Sequence, residues 1–268
     1  MPFFLTTEAR WFFLFNQKEK IMNNTEIEKE EIIKETSAIL CTTDFEGYYP
    51  HVYLDTAGKE TVACGIRVDD EKSFIEAPFR YSDTGKKISI EEKKELYKKT
   101  SSILEQEERN FYSENPEALY YNRRPETQLQ NPDTSFLRSF YIDENDAVKM
   151  TENHLKKIYP EVEKEHKKYG MIFSEKPPAY RITALEMKYN MGNHIKLSTH
   201  QEKEEASEEE KQHYWPNFTE AVRNEDYFKA SRNSDRLGVG KNRNEKTRRR
   251  LEEAQAQKYH KERYGTWK

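Results

Sequence analysis

The sequence predicts a mostly helical α+β protein, and three observations carry that prediction. Apolar residues recur at helical spacing through several long segments, a single window at residues 47–68 sets β-branched and aromatic residues around a glycine turn, and the composition suits a charged helical surface over a modest core. Hydrophobic residues make up 34% and charged residues 35% of the 268-residue chain, against about 45–50% and about 25% in ordinary globular domains. Disorder is disfavoured, because 17 Tyr, 14 Phe and 3 Trp supply burial that disordered chains lack. With only 9 Gly and 10 Pro, collagen-like, mucin-like and glycine-linker proteins are excluded.

Residues 1–24 read as an arm outside the fold, with Met22 as an alternative start. Thr6, Thr7, Glu8 and Arg10 split its apolar stretch into Phe3–Leu5 and Trp11–Phe15. Neither piece matches a secretory core of roughly 7–15 apolar residues or the ~20 that span a bilayer. The expectation is therefore synthesis in the cytoplasm and no membrane span, a signal peptide being the competing reading. Thr25 followed by Glu28 has the capping-box pattern, and Ile27, Ile32, Ile33, Ile39 and Leu40 then predict a helix over about 26–43. In the 47–68 window, Tyr49, Val52 and Tyr53, the turn Thr56-Ala57-Gly58-Lys59 and the run Thr61–Ile66 predict a short hairpin. Residues 86–115 read as helix and 115–133 as a long exposed loop. Further helices are expected at 143–168, 178–192, 216–231 and 244–262, punctuated by Pro177-Pro178, Gly192, Pro216 and Gly238/Gly240. The acidic stretch 202–210 reads as a solvated helix face or loop.

A net charge of −4 argues against a general nucleic-acid binder. The charge is uneven, however: Arg223 to Lys268 holds 14 Lys and Arg against 7 Asp and Glu, enough to attract an anionic surface. Cys41 and Cys64 form neither a disulfide framework nor a zinc pattern, and are expected as reduced or buried thiols. Neither a metal nor an organic cofactor is expected.

The chemistry-bearing constellation lies between Asp44 and Ile66. Glu46 falls at the expected helix end, Asp55 beside the turn and Thr61 on the returning strand. A hairpin folds the chain back, so two carboxylates and a hydroxyl can share one cleft. Glycoside hydrolysis needs such a pair, one acid to protonate the leaving oxygen and one carboxylate on the other face of the sugar. Three of the scarce glycines, Gly47, Gly58 and Gly65, fall in the same window. Gly58 suits the turn, and Gly65 suits close approach of backbone to a ligand.

The pattern E-G-x5-Y-x-D-x2-G-x2-T-x3-G, formed by Glu46, Gly47, Tyr53, Asp55, Gly58, Thr61 and Gly65, resembles the signature of the phage-type lysozymes, the muramidases of glycoside hydrolase family twenty-four. Fainter likeness continues at residues 142–147, 184–192, 218–231 and 244–254. The resemblance implies a lysozyme-like two-lobed fold, with a small N-terminal β-hairpin, a helical C-terminal lobe and a cleft between them, occupying residues 25–262 with a tail at 263–268. It implies Glu46, Asp55 and Thr61 as the catalytic set, Glu46 as general acid and Asp55 with Thr61 holding the attacking water. It also implies an arginine of the C-terminal helix paired with Glu46, for which Arg248 is the first candidate and Arg243 and Arg249 are rivals. Gly65 and Tyr53 are expected at the substrate.

The implied activity is hydrolysis of the β-1,4 bond between N-acetylmuramic acid and N-acetylglucosamine, with peptidoglycan strands as partner, an immunity or delivery protein as a further one, and the cell wall as the place of action after release or delivery. A non-catalytic lysozyme-like protein that binds glycan or a partner is the alternative. Two departures stand out. Ala63-Cys64 stands where the family usually has a glycine and a second small residue, Ile66 replaces its frequent histidine, and residues 67–140 are longer than the corresponding family stretch. That insertion can cover the cleft, widen it or bind a partner. Of the neighbours, Cys64 reads as a packed strand thiol, His51 as an exposed hairpin-start residue, and Tyr48-Tyr49 and Tyr120-Tyr121 as packing residues or sugar-stacking rings.

Overall fold

The computed structural model describes residues 26–42, 46–55, 58–114, 132–192, 196–236 and 241–267. The expected N-terminal arm, the loop from 115 to 131, Tyr120-Tyr121 and Gly238/Gly240 lie outside them. The described chain is mostly helical with a small antiparallel sheet, as the periodicity predicts. It divides into two compact units, one of residues 37–154 and one of residues 1–36 with 155–268.

The 37–154 unit begins with the last turn of helix α1, which covers residues 26–40. Its sheet runs β1 (Tyr49–Leu54), β2 (Glu60–Ala63), β3 (Ile66–Arg67), antiparallel throughout, with Tyr53 opposite Thr61 and Thr61 opposite Arg67. The predicted hairpin is therefore present and gains a third, two-residue strand. The β2–β3 reversal places Ala63 at φ 57° and Gly65 at φ 84° on either side of Cys64. Alanine adopts this left-handed conformation only at a cost.

The described residues of the stretch expected as an insertion, 67–114 and 132–140, are part of the same unit. Helix α2 (Glu71–Glu76) starts where Asp70 accepts a hydrogen bond from the Ser73 amide at 3.0 Å. Strand β4 (Arg80–Tyr81) pairs with β5 (Phe140–Tyr141), and between them lie helix α3 (Ile90–Glu114) and a 3-10 helix at Pro132–Ser139. Phe74, Phe79, Leu104, Leu137 and Phe140 close over Val52, Leu54 and Val62 from the sheet, forming one buried apolar cluster. Phe79 and Phe140 meet edge to face at 5.2 Å between centroids.

Helix α4 (Glu144–Lys168) belongs to both units. The 1–36/155–268 unit then adds α5 (Pro178–Met191), α6 (His200–Glu205), α7 (Glu208–Lys211), α8 (Pro216–Arg223), α9 (Tyr227–Arg232) and α10 (Lys241–Tyr264). Pro178 and Pro216 occupy first turns, where a missing N–H costs nothing, and Thr199 with Glu202 forms a complete capping box on α6. The acidic stretch is thus two short exposed helices, α6 and α7. The single helix expected at 216–231 is two, because Glu225 at φ 55° reverses the chain before Asp226 caps α9. The core holds Tyr159, Phe173, Tyr180, Leu185, Val222, Tyr227 and Leu251. Within it Glu186 and Arg236 form an ion pair at 2.9 Å with both side chains at zero exposure. Arg236 also donates to the Thr247 hydroxyl at 2.7 Å, which ties α5 to α10.

The cysteine expectation is corrected: Cys41 and Cys64 form a disulfide with their Cα atoms 5.0 Å apart, and neither is a free thiol. Two cysteines 23 residues apart carry no spacing signature; the fold brings them together by turning the sheet back onto the end of α1.

No helix among the described residues is long and apolar enough to cross a membrane.

Candidate active site

Glu46 follows α1, and its amide donates to the Leu40 carbonyl at 3.1 Å while the next amide, Gly47, donates to Thr42 at 2.9 Å. These bonds turn the chain sharply off the helix and send the glutamate side chain back toward the sheet. Gly47, at φ 73°, permits the turn. The carboxylate comes to rest on Gly65: a Cβ there would meet Glu46 Cγ and Oε2 at 3.1 Å and Cδ at 3.2 Å. Close backbone approach at Gly65 is therefore made by the glutamate itself.

Asp55 sits beyond β1. Its Oδ1 accepts the Lys59 amide at 2.9 Å, its carbonyl accepts the Gly58 amide at 3.0 Å, and Arg67 Nε on β3 reaches Oδ2 at 3.3 Å. Arg67 is the register partner of Thr61, so the ion pair runs along the same sheet as the threonine. Thr61 is buried, and its hydroxyl donates to the Lys59 carbonyl at 3.0 Å, which leaves lone pairs to accept from a water or a sugar hydroxyl. Tyr53 lies opposite Thr61 and packs edge to face against Tyr49 at 5.4 Å. All five lie in the 37–154 unit: Tyr53, Asp55, Thr61 and Gly65 on one sheet and its turns, and Glu46 in the turn that follows α1. Arg243, Arg248 and Arg249 belong to the other unit, where Arg248 donates to the Asp235 carboxylate.

Three neighbours were invisible to sequence reasoning. Arg67 holds Asp55, a relation that only strand register creates. The disulfide joins the end of α1 to the residue before Gly65. Glu60, on β2 beside Thr61, is only 8% exposed, and burial together with the nearby charges of Asp69 and Glu105 pushes its carboxyl up to about 7, with the nearby Ser101 hydroxyl acting in the opposite sense. The signal for Glu60, a charged residue opening a strand buried along its whole length, becomes legible only once α3 is known to cover that face.

His51 is tethered rather than exposed, its Nδ1 donating to the Phe140 carbonyl at 2.7 Å. Tyr48 donates to the Ile142 carbonyl at 2.5 Å, and burial with Asp143 and Glu144 nearby raises its hydroxyl to about 12. Its ring packs against the core, as the packing expectation has it.

No family model, curated protein or solved structure matches the chain. A further cavity of about 410 Å3 lies in the 155–268 part, among Glu165, Lys168, Lys196, Glu202 and Glu210. Its charges are already engaged with one another: Lys168 binds Glu202 at 2.5 Å, Lys196 reaches Glu210 at 3.5 Å and Glu165 accepts the Leu197 amide at 2.9 Å. Among the described residues no cluster of His, Cys, Asp and Glu is suited to hold a metal ion.

Proposed function

We propose that this chain is a lysozyme-like peptidoglycan hydrolase that cleaves the β-1,4 bond between N-acetylmuramic acid and N-acetylglucosamine. The observation that carries the reading is the Glu46 carboxylate seated on Gly65, on the same small sheet that bears Asp55 and Thr61. The reading includes a two-lobed lysozyme-like fold, with the sheet-bearing unit as one lobe and the helical unit as the other. It also places the protein's action at the cell wall.

In this mechanism Glu46 enters protonated and donates to the glycosidic oxygen as the bond breaks. Asp55, paired with Arg67, polarises a water that the Thr61 hydroxyl helps to orient. Attack from the opposite face inverts the anomeric centre, and the proton of the water passes to Asp55. No cofactor is required for these transfers. The basic segment from Arg223 to Lys268 supports attraction to anionic wall polymers, a contribution that salt would weaken.

The test is reducing-end release from purified peptidoglycan by wild type and by Glu46→Gln, with thermal melts to establish folding. Loss of an acid–base group costs about 10²–10⁴-fold, so the variant is expected to lose at least about a hundredfold in kcat while melting close to wild type. Equal non-zero rates would remove Glu46 from the mechanism. Absence of release by wild type on several peptidoglycan chemotypes would instead favour a non-catalytic glycan- or partner-binding protein.

A further inference from the structure

The disulfide and the Glu46 contact cross the same junction. Cys41 is the first residue after α1, five residues before Glu46, and Cys64 immediately precedes the glycine on which the Glu46 carboxylate rests. Non-covalent contacts at that junction include the amides of Glu46 and Gly47 bonded back to Leu40 and Thr42, and the Glu46 side chain set against Gly65. The β2–β3 turn works against them, because Ala63 is held at φ 57°, where an L side chain is strained, and Gly65 at φ 84°. A turn held in this way relaxes when its tether is cut. The two sulfurs differ in access, since Cys64 is fully buried and Cys41 is partly exposed beside the Thr151 hydroxyl at 3.7 Å.

We propose that the Cys41–Cys64 disulfide is a redox-dependent clamp that positions Glu46, so that the hydrolysis runs in an oxidising compartment and stops in one poised by dithiols. The proposal rests on the hydrolase reading for its catalytic part. A thiolate of the dithiol attacks the accessible Cys41 Sγ, Cys64 leaves as a thiolate and takes a proton, and the second thiol of the reagent then displaces Cys41. The protein disulfide gains two electrons and two protons, and the dithiol becomes a disulfide. Cys41 and Cys64 are positioning residues here; they contribute no proton to the reaction. Because disulfides persist outside the cytoplasm and are reduced within it, the clamp closes where peptidoglycan is found.

The experiment uses the full chain in three forms: oxidised, reduced with dithiothreitol, and the Cys41→Ser/Cys64→Ser double variant. Each is assayed for kcat and KM on purified peptidoglycan, with circular dichroism at the assay temperature and amide hydrogen exchange at Glu46 and Gly47. Reduction is expected to lower kcat at least tenfold at unchanged KM, with recovery on reoxidation by oxidised glutathione, and the double variant is expected to stay low under both conditions. Exchange at Glu46 and Gly47 should accelerate tenfold or more while that at Val68, whose amide is bonded to the Glu60 carbonyl just past β3, stays slow. Equal kcat in the three forms, two titratable thiols in the air-oxidised chain, or global unfolding on reduction would each overturn the clamp. If the oxidised chain releases no reducing ends, the hydrolase reading fails on its own, and the exchange rates then decide the clamp: unchanged protection overturns it.

Discussion

Gly65 is where sequence and geometry constrain each other most tightly. Its φ of 84° disfavours any other residue, and the space a methyl group would need is filled by the Glu46 carboxylate at 3.1 Å. Gly65→Ala is therefore expected to destabilise the chain by about 1–3 kcal/mol through backbone strain and to displace Glu46. The proposed peptidoglycan hydrolysis should fall by more than the small loss in folded population explains, which a urea titration run alongside the assay separates. The glycine was singled out from the sequence for close approach, but toward a ligand. That it meets a side chain of the same chain depends on the turn after α1, and no local pattern encodes that turn. Glu46, Asp55 and Thr61 were legible because their spacing brackets a hairpin. Arg67 was not, because its relation to Asp55 exists only after β3 has paired with β2.

At the scale of elements, the helices announced by periodicity and proline lie close to where they were expected: 178–192 is α5, which ends at Met191, and 143–168 is α4, which starts at Glu144. The break between α8 and α9 escaped notice because Glu225 makes the left-handed turn that Gly or Asn ordinarily marks. The buried Glu186–Arg236 pair was equally hidden, since charge alone does not distinguish a core carboxylate from a solvated one. It couples α5 to α10, and removing one partner leaves the other uncompensated. Arg236→Met is expected to cost about 3–5 kcal/mol, whereas Glu186→Leu combined with Arg236→Met should fall within about 1–2 kcal/mol of wild type. Chemical denaturation of the two variants measures the difference, and equal losses would show that the pair is not the tie.

Across the whole molecule, the two units carry buried titratable groups with opposite responses to pH. In the 37–154 unit, the Glu60 carboxyl is raised from about 4.5 to about 7 by burial, so the folded state holds its proton more tightly than the unfolded one. Its stability contribution is complete below pH 4.5 and is lost as pH rises through 7. The groups facing it are Asp69 and Glu105, which oppose its ionisation, and Ser101, which favours it. In the other unit, His166 is lowered to about 4 because burial disfavours the imidazolium, with Lys176 adding to the effect. Its Nδ1 donates to the Val162 carbonyl and its Nε2 accepts from the Tyr180 hydroxyl, each at 2.7 Å, which suits the neutral ring. That contribution is present above pH 6.5 and is lost as pH falls toward 4. Calorimetry between pH 4.5 and 8 should therefore resolve a component that weakens with alkali and another that weakens with acid. Glu60→Gln should flatten the first by on the order of 2 kcal/mol, and His166→Phe should flatten the second. Parallel pH responses in both variants would refute the assignment of these slopes to the two residues.

The packing of residues 67–114 and 132–140 against the sheet bears on how the chain can be shortened or recombined. Phe74, Phe79, Leu104, Leu137 and Phe140 cover Val52, Leu54 and Val62, while His51 and Tyr48 fasten β1 to the backbone at Phe140 and Ile142. Excising the segment would strip the sheet of its roof and leave an apolar patch and an unpaired edge, both sticky to other chains. A compact derivative would need new polar faces at Val52, Leu54 and Val62, so the segment behaves as a foundation of the hairpin and cannot be swapped in or out as a cassette.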